Sequence, residues 1–218
     1  MVLYTIIFIF MLRLPQELIE IRNFLSEYNF TLSHTSSDWR IDSAINEWEI
    51  TNILSKNFNI LLPRDRERYD FAIQSWNKFY PVNIKVSDTT HNDNLNCKLW
   101  IYYALTWKLP NFPNETSREN FLTKLKQDLQ DNNADYYFLV INKKNLSDII
   151  LNSLKWLESL VPNGNNLPFQ CQWNNNRRFI VRNFSEIKSF ILTTFWDSIK
   201  KRASVFLLFE KLFDEYVR

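Results

Sequence analysis

Glycine occurs once in 218 residues, at Gly164. Loops that wrap a phosphate in backbone N–H groups need several residues without Cβ close together, and the dinucleotide-binding fingerprint needs the same. A single glycine removes both, and with them nucleotide-dependent chemistry of those kinds. The length suits one well-packed domain, 1–218, and the 45% hydrophobic and 23% charged content is that of a globular protein. A thick core accounts for most of the 16% aromatic content, so the 8 Trp are expected mainly inside.

The net charge is only +2. A protein that coats DNA without specificity is usually more basic. A mild excess suits a chain that places a few cations at phosphates and keeps acids elsewhere for a cation. Cys97, Cys171, His34 and His91 are too few and too scattered for a structural zinc site. Two unpaired thiols in a reducing cytoplasm is the favoured reading over a single disulfide. The apolar stretch Val2–Leu12 is shorter than the roughly 20 residues a membrane helix needs. It lacks a basic flank and a cleavage site, so neither an anchor nor a signal peptide is expected. A buried strand or helix, or translation from Met11, are the open readings.

Periodicity predicts helices over Leu14–Tyr28, from an Asp42 or Ser43 cap to Leu54 with Ala44, Ile45 and Trp48 along one side, and over Asp93–Leu105, Ser117–Gln130, Leu146–Leu160 and Ser185 onward. Strands are expected at Tyr69–Gln74, Val82–Val86, Tyr136–Ile141 and Phe179–Val181, with a turn at Asn163–Asn166. Strands in the middle with helices around them give an α/β fold, a central mixed sheet flanked by α-helices.

The stretch richest in chemistry is Arg68-Tyr69-Asp70-Phe71-Ala72-Ile73 followed by Pro81-Val82-Asn83-Ile84-Lys85-Val86. A hairpin turning at Asn77 and Lys78 sets Asp70 opposite Lys85 and Ala72 opposite Asn83. Alternation then projects Asp70, Asn83 and Lys85 from one face and Phe71, Ile73, Val82, Ile84 and Val86 from the other. An acid, an amide and a lysine side by side suit phosphodiester hydrolysis. Oxygen ligands hold a hard divalent cation, and the lysine orients water and offsets developing charge. A cross-strand ion pair on a solvated face is the plainer alternative.

These residues resemble the restriction-endonuclease-like nuclease superfamily, whose signature is Asp, a gap, Glu or Asp, any residue, then Lys. Asp70 and Lys85 match its ends, and Asn83 stands at the second acid. The resemblance spans about Asp42–Trp107 and includes a helix with a glutamate upstream of the hairpin. Glu47 and Glu49 lie about 200° apart on a helix, so only one can face the site. The resemblance favours Glu47, because the family's usual spacing from the acid to the following apolar residues matches Ile50 and Leu54; Glu49 is held in reserve. The resemblance implies a catalytic core over about 42–142, Mg²⁺ held by Asp70, Asn83 and Glu47, and Lys85 at the nucleophilic water. It implies recognition and dimerisation elements over 143–218.

Asn174-Asn175-Asn176-Arg177-Arg178 is the segment best suited to contact DNA, because Arg pairs with guanine edges and Asn with adenine. A polar loop with no partner is the alternative. Lys200, Lys201 and Arg202 read as a solvated helix face or a phosphate clamp, and His91 as a loop residue without a catalytic role. The expectation is a homodimeric type II restriction endonuclease cutting double-stranded DNA, with a companion DNA methyltransferase encoded nearby and no membrane association. A repair or junction-resolving nuclease, or a DNA-binding protein without activity, are the alternatives.

Overall fold

The computed structural model describes residues 14–33, 39–64, 67–110, 117–165 and 168–213. The Val2–Leu12 stretch lies outside the described residues. The elements run α1 (Gln16–Glu27), α2 (Trp39–Asn57), β1 (Phe71–Ser75), β2 (Lys78–Ser87), β3 (Asn92–Leu95), α3 (Lys98–Thr106), α4 (Arg118–Asp128), β4 (Tyr137–Asn142), β5 (Ile149–Ser153), β6 (Val161–Pro162), β7 (Phe169–Gln172), a 3₁₀ turn (Trp173–Asn176) and α5 (Phe184–Leu212).

The fold is mixed α/β. A four-stranded sheet has the order β1-β2-β4-β5, with β2 and β4 parallel and the outer pairs antiparallel. A second, antiparallel sheet has the order β3-β7-β6. Helices α1 and α2 cover one face of the first sheet. Leu18, Ile21 and Leu25 from α1 and Ile50 and Leu54 from α2 meet Phe71, Ile73, Val82, Ile84, Leu139 and Ile141 there. The other face, with Ala72, Phe138 and Val140, packs against α3, α4, the second sheet and the first half of α5. The predicted split of the hairpin into an apolar face and a mixed face is therefore how the sheet is built, because side chains alternate along a strand.

Several boundaries differ from the sequence reading, each for a physical reason. Residues Leu146–Leu160 are not a helix: Ile149–Ser153 forms edge strand β5, buried along most of its length. A short run such as Ile149-Ile150-Leu151 satisfies both the helical and the buried-strand period, and pairing with β4 decides it. The predicted Asp93–Leu105 helix is divided. Asn92–Leu95 pairs with β7, and the helix starts at Lys98. Phe179–Val181 is not a strand; Ile180 makes one backbone bond, to the Trp156 carbonyl, and both flanking side chains are exposed. Helix α2 begins at Trp39, ahead of the Asp42 and Ser43 cap positions, and Trp48 points outward. Trp100 and Trp173 are core residues, but Trp48, Trp76, Trp107 and Trp196 are exposed, which corrects the expectation of a mainly buried set.

The hairpin register also differs. Phe71 pairs with Val82 and Ser75 with Lys78, so the turn is Trp76-Asn77 and Asp70 faces Asn83 rather than Lys85. A shift of two residues preserves which face each side chain occupies. Lone Gly164 has a packing role: a Cβ there would lie 3.0 Å from Lys201 Cβ and 3.3 Å from the Lys201 carbonyl carbon, so the turn approaches α5 closely.

Candidate active site

Asp70 sits one residue before β1, and the chain before it is fixed by aromatic donors. The Arg68 carbonyl accepts from Trp100 Nε1 at 2.8 Å and from the Tyr136 hydroxyl at 3.1 Å. Those two rings stack with centroids 5.2 Å apart. Arg68 itself holds a φ of 55°, a left-handed conformation a non-glycine residue adopts only when its surroundings impose it. Two buried rings therefore clamp the bend that delivers Asp70 to the sheet.

Asp70 then docks on β2. Its Oδ2 accepts from Asn83 Nδ2 at 2.7 Å and from the Ile84 backbone N–H at 2.5 Å. Burial pushes the Asp70 carboxyl above its usual range, against the opposing pull of the Ile84 N–H, Lys85 and Asn83. Lys85 shares the Asn83 face, and its Nζ lies 3.8 Å from Glu47 Oε1 with both side chains about one-fifth exposed. The Tyr136 hydroxyl is held protonated chiefly by burial, with Asp70, Cys97 and Glu47 adding in the same direction. Asp70 and Glu47 thus act on one hydroxyl from the same neighbourhood.

Glu49 lies elsewhere. Its carboxylate accepts from the Ser33 backbone N–H at 3.1 Å and from the Ser33 hydroxyl, which ties α2 to the segment after α1. Asp70, Asn83, Lys85 and Glu47 are brought together, and Glu49 is not among them. The carboxylates of Asp70 and Glu47 and the amide oxygen of Asn83 are hard oxygen donors. Such a set suits a small divalent cation that keeps several of its own waters. Among the described residues no group of three or more His, Cys, Asp and Glu side chains is arranged to hold a metal.

The Asn/Arg segment lies beside the loop that follows β2. The Asn174 N–H donates to the Thr89 carbonyl at 3.0 Å, and the Gln172 side chain bonds the Thr90 carbonyl. Its members differ sharply in placement. Asn174, Asn175 and Arg178 are exposed. Arg177 is clamped by Asp148 through two bonds of 2.8 and 2.7 Å, and the guanidinium holds that carboxyl down at about 2. Asn176 is fully buried. Its amide donates to the Gln172 carbonyl at 2.8 Å and to Cys171 Sγ at 3.1 Å, and its oxygen accepts from the Ser159 N–H at 2.9 Å. That saturation turns Asn176 inward and corrects its place among the surface contacts.

Three features were not anticipated from sequence. In the loop after β2, Asp88 accepts from His91 Nδ1 at 2.6 Å and from the backbone N–H groups of Thr90 and His91. These bonds hold the Asp88 carboxyl well below its usual range despite the opposing effect of desolvation. Near the start of β4, Asp135 is buried, raised to about 6 by desolvation, and its Oδ2 has no hydrogen-bond partner. Buried Lys155 beside it donates to the Asn132 carbonyl at 2.8 Å. The aromatic clamp on Arg68 is the third. Only Asp88, with two hydroxyl residues and His91 after it, offered a local signal; the others depend on contacts distant in sequence.

Cys97 and Cys171 are both buried free thiols, raised by burial. Among the described residues no helix is long and apolar enough to cross a membrane. Neither the models of known protein families nor the curated proteins contain a match to this chain.

Proposed function

We propose that this chain is a Mg²⁺-dependent endonuclease of the restriction-endonuclease-like kind, hydrolysing phosphodiester bonds in double-stranded DNA at a short site. One observation carries the reading. Asp70, Asn83 and Lys85 converge on one face of a hairpin, and the Glu47 carboxylate from a neighbouring helix lies 3.8 Å from the lysine. A structural ion pair needs no third and fourth polar group, and a half-buried carboxylate pushed up by desolvation beside a lysine is the kind of group functional sites hold.

Asp70, Glu47 and the Asn83 oxygen would hold the cation, which when bound supplies Lewis acidity at the scissile phosphate. The protein's own groups do the rest. Asn83 and the Ile84 N–H fix the Asp70 carboxylate through its Oδ2. Lys85 orients the attacking water and offsets negative charge that grows on the phosphate. Glu47 keeps the Lys85 ammonium in place. Exposed Asn174, Asn175 and Arg178 at the strand ends reach the DNA, as does Arg177 once it leaves Asp148. A homodimer acting on a palindromic site fits this chemistry, and a companion methyltransferase would protect the host.

Incubation of the protein with phage DNA and Mg²⁺ tests the reading. Discrete fragments are the expected result. Cutting confined to branched DNA would move the chain to the junction-resolving class. Binding without cutting at any metal concentration would make it a DNA-binding protein on a nuclease scaffold.

A further inference from the structure

Two helices and the end of a strand meet around a cavity of about 640 Å³, the size of a small-molecule site. Helix α4 gives it Arg118, Phe121 and Leu122, which share one face at i, i+3 and i+4. Helix α5 gives it Phe195, Ile199 and Arg202, again at helical spacing. Lys98, at the start of α3, closes a third side. Three cations thus stand around an apolar wall, and among the described residues no carboxylate lines the cavity.

The basic run on α5 divides here. Lys200 is drawn to Asp197 at 2.7 Å, and Lys201 Nζ donates to the Pro162 carbonyl at 3.3 Å. Only Arg202 of that run lines the cavity, and among the described residues neither it nor Lys98 or Arg118 is ion-paired. Lys98 Nζ lies 4.6 Å from the centre of the Phe121 ring. Burial, and then the Arg118 charge, push its ammonium below the usual range. Like charges gathered without a counter-ion are an arrangement that a bound anion relieves. Amides complete the lining. Asn94 Oδ1 already accepts from Asn163 and Gln170 at 2.9 and 3.0 Å, so Nδ2 is its remaining donor. Asn165 arrives on the Gly164 turn that approaches α5 so closely.

We propose that this cavity binds a nucleoside monophosphate, either free or as the phosphorylated end of a nucleic-acid strand. The guanidinium groups and the ammonium take the phosphate, the apolar wall takes the face of the ring, and the amides pair with the base edge. Such a site needs no glycine-rich loop, because side chains hold the phosphate instead of backbone N–H groups. None of its residues belongs to the Asp70 set, so it stands independently of the nuclease reading.

Calorimetric titration of the full chain in EDTA with each of the four deoxynucleoside monophosphates tests it. At least one should bind, and the same nucleoside without its phosphate should not. Lys98→Gln, Arg118→Gln and Arg202→Gln should each weaken binding by about 10–100-fold, the worth of one charge-assisted bond. Lys200→Gln, Lys201→Gln and Lys85→Ala should bind as wild type does. The cavity variants lose no ion pair, so without ligand they should melt near wild type. Oligonucleotides with and without a terminal phosphate separate the sources. Binding that requires the terminal phosphate assigns the site to a strand end, and binding of the monophosphate alone assigns it to a free nucleotide. No binding by any of the four, equal binding by the bare nucleoside, an affinity unmoved by the three cavity substitutions, or its loss in Lys85→Ala would each overturn the inference.

Discussion

Replacing Asn83 with Asp sets a second carboxylate against the first. Asn83 Nδ2 lies 2.7 Å from Asp70 Oδ2, so the new oxygen arrives where a donor stood. Two full charges about 3 Å apart at an effective dielectric near 20 repel by roughly 5 kcal/mol. Proton uptake caps that cost. One carboxyl of the pair can be raised from about 4 toward 7, so the penalty at pH 7 cannot exceed about 4 kcal/mol. A loss of about 2–4 kcal/mol is expected, lowering Tm by roughly 5–15 °C. The sign with pH follows. A carboxyl with a raised folded pKa binds more protons folded than unfolded, so the penalty is absent below about pH 4 and grows toward pH 7. Mg²⁺ should recover much of it, because a cation between two carboxylates removes the repulsion and binds only the folded state. Asn83→Leu, which removes the donor without adding charge, should be destabilised without any enhanced response to Mg²⁺. Thermal melts of the three proteins at pH 4.5 and 7, with and without Mg²⁺, measure all of this. An Asn83→Asp protein as stable as wild type at pH 7 without metal, or an equal Mg²⁺ shift in both, would refute the reasoning.

Trp76 is 98% exposed and sits in the two-residue hairpin turn with a φ of 55°. Trp76→Gly should therefore raise stability by up to about 1 kcal/mol, since glycine accepts that conformation without strain; a lower Tm would count against the turn. Asp135, raised to about 6 by burial, binds a proton in the folded state that the unfolded chain releases near pH 4, so it lowers stability as pH climbs between those values. Asp135→Asn should flatten the stability profile there by up to about 3 kcal/mol, and an unchanged slope in chemical denaturation would remove the effect. Asn176→Ala should cost about 2–4 kcal/mol by orphaning buried partners, whereas Arg178→Ala should leave Tm unchanged and reduce the salt slope of DNA binding. Equal melts for the two variants would show that Asn176 is not the anchor its hydrogen bonds indicate.

The parts of the site legible in sequence were those set by short-range periodicity. Alternation placed Asn83 and Lys85 on one strand face, and Asp70 joined them because the register differed by two residues, a slip that leaves the face unchanged. The register itself was not legible. It turns on Trp76 at the left-handed position of the turn, where turn chemistry favours glycine or asparagine. Strand β5 was hidden because Ile149-Ile150-Leu151 serves either period, and only pairing with β4 resolves it. Asn176 looked like its exposed neighbours, since its burial depends on Ser159 and on Asn152, whose amide binds the Asn176 carbonyl at 2.6 Å. The Arg68 clamp joins Trp100 and Tyr136 across distant stretches of chain, and no local pattern announces such a contact.

In the proposed nuclease Asp70, Lys85 and Glu47 act as one catalytic unit, and Glu49 stands apart from it. Cleavage of a DNA substrate at saturating Mg²⁺, measured beside metal-free DNA binding for four alanine variants, tests it most directly. Asp70→Ala and Lys85→Ala should each lose cutting by 10³-fold or more, on the order expected for removing a principal charge from the site, and still bind DNA. Glu47→Ala should lose more than Glu49→Ala, whose carboxylate serves Ser33. Near-normal cutting by Asp70→Ala or Lys85→Ala, with intact folding, would contradict the account.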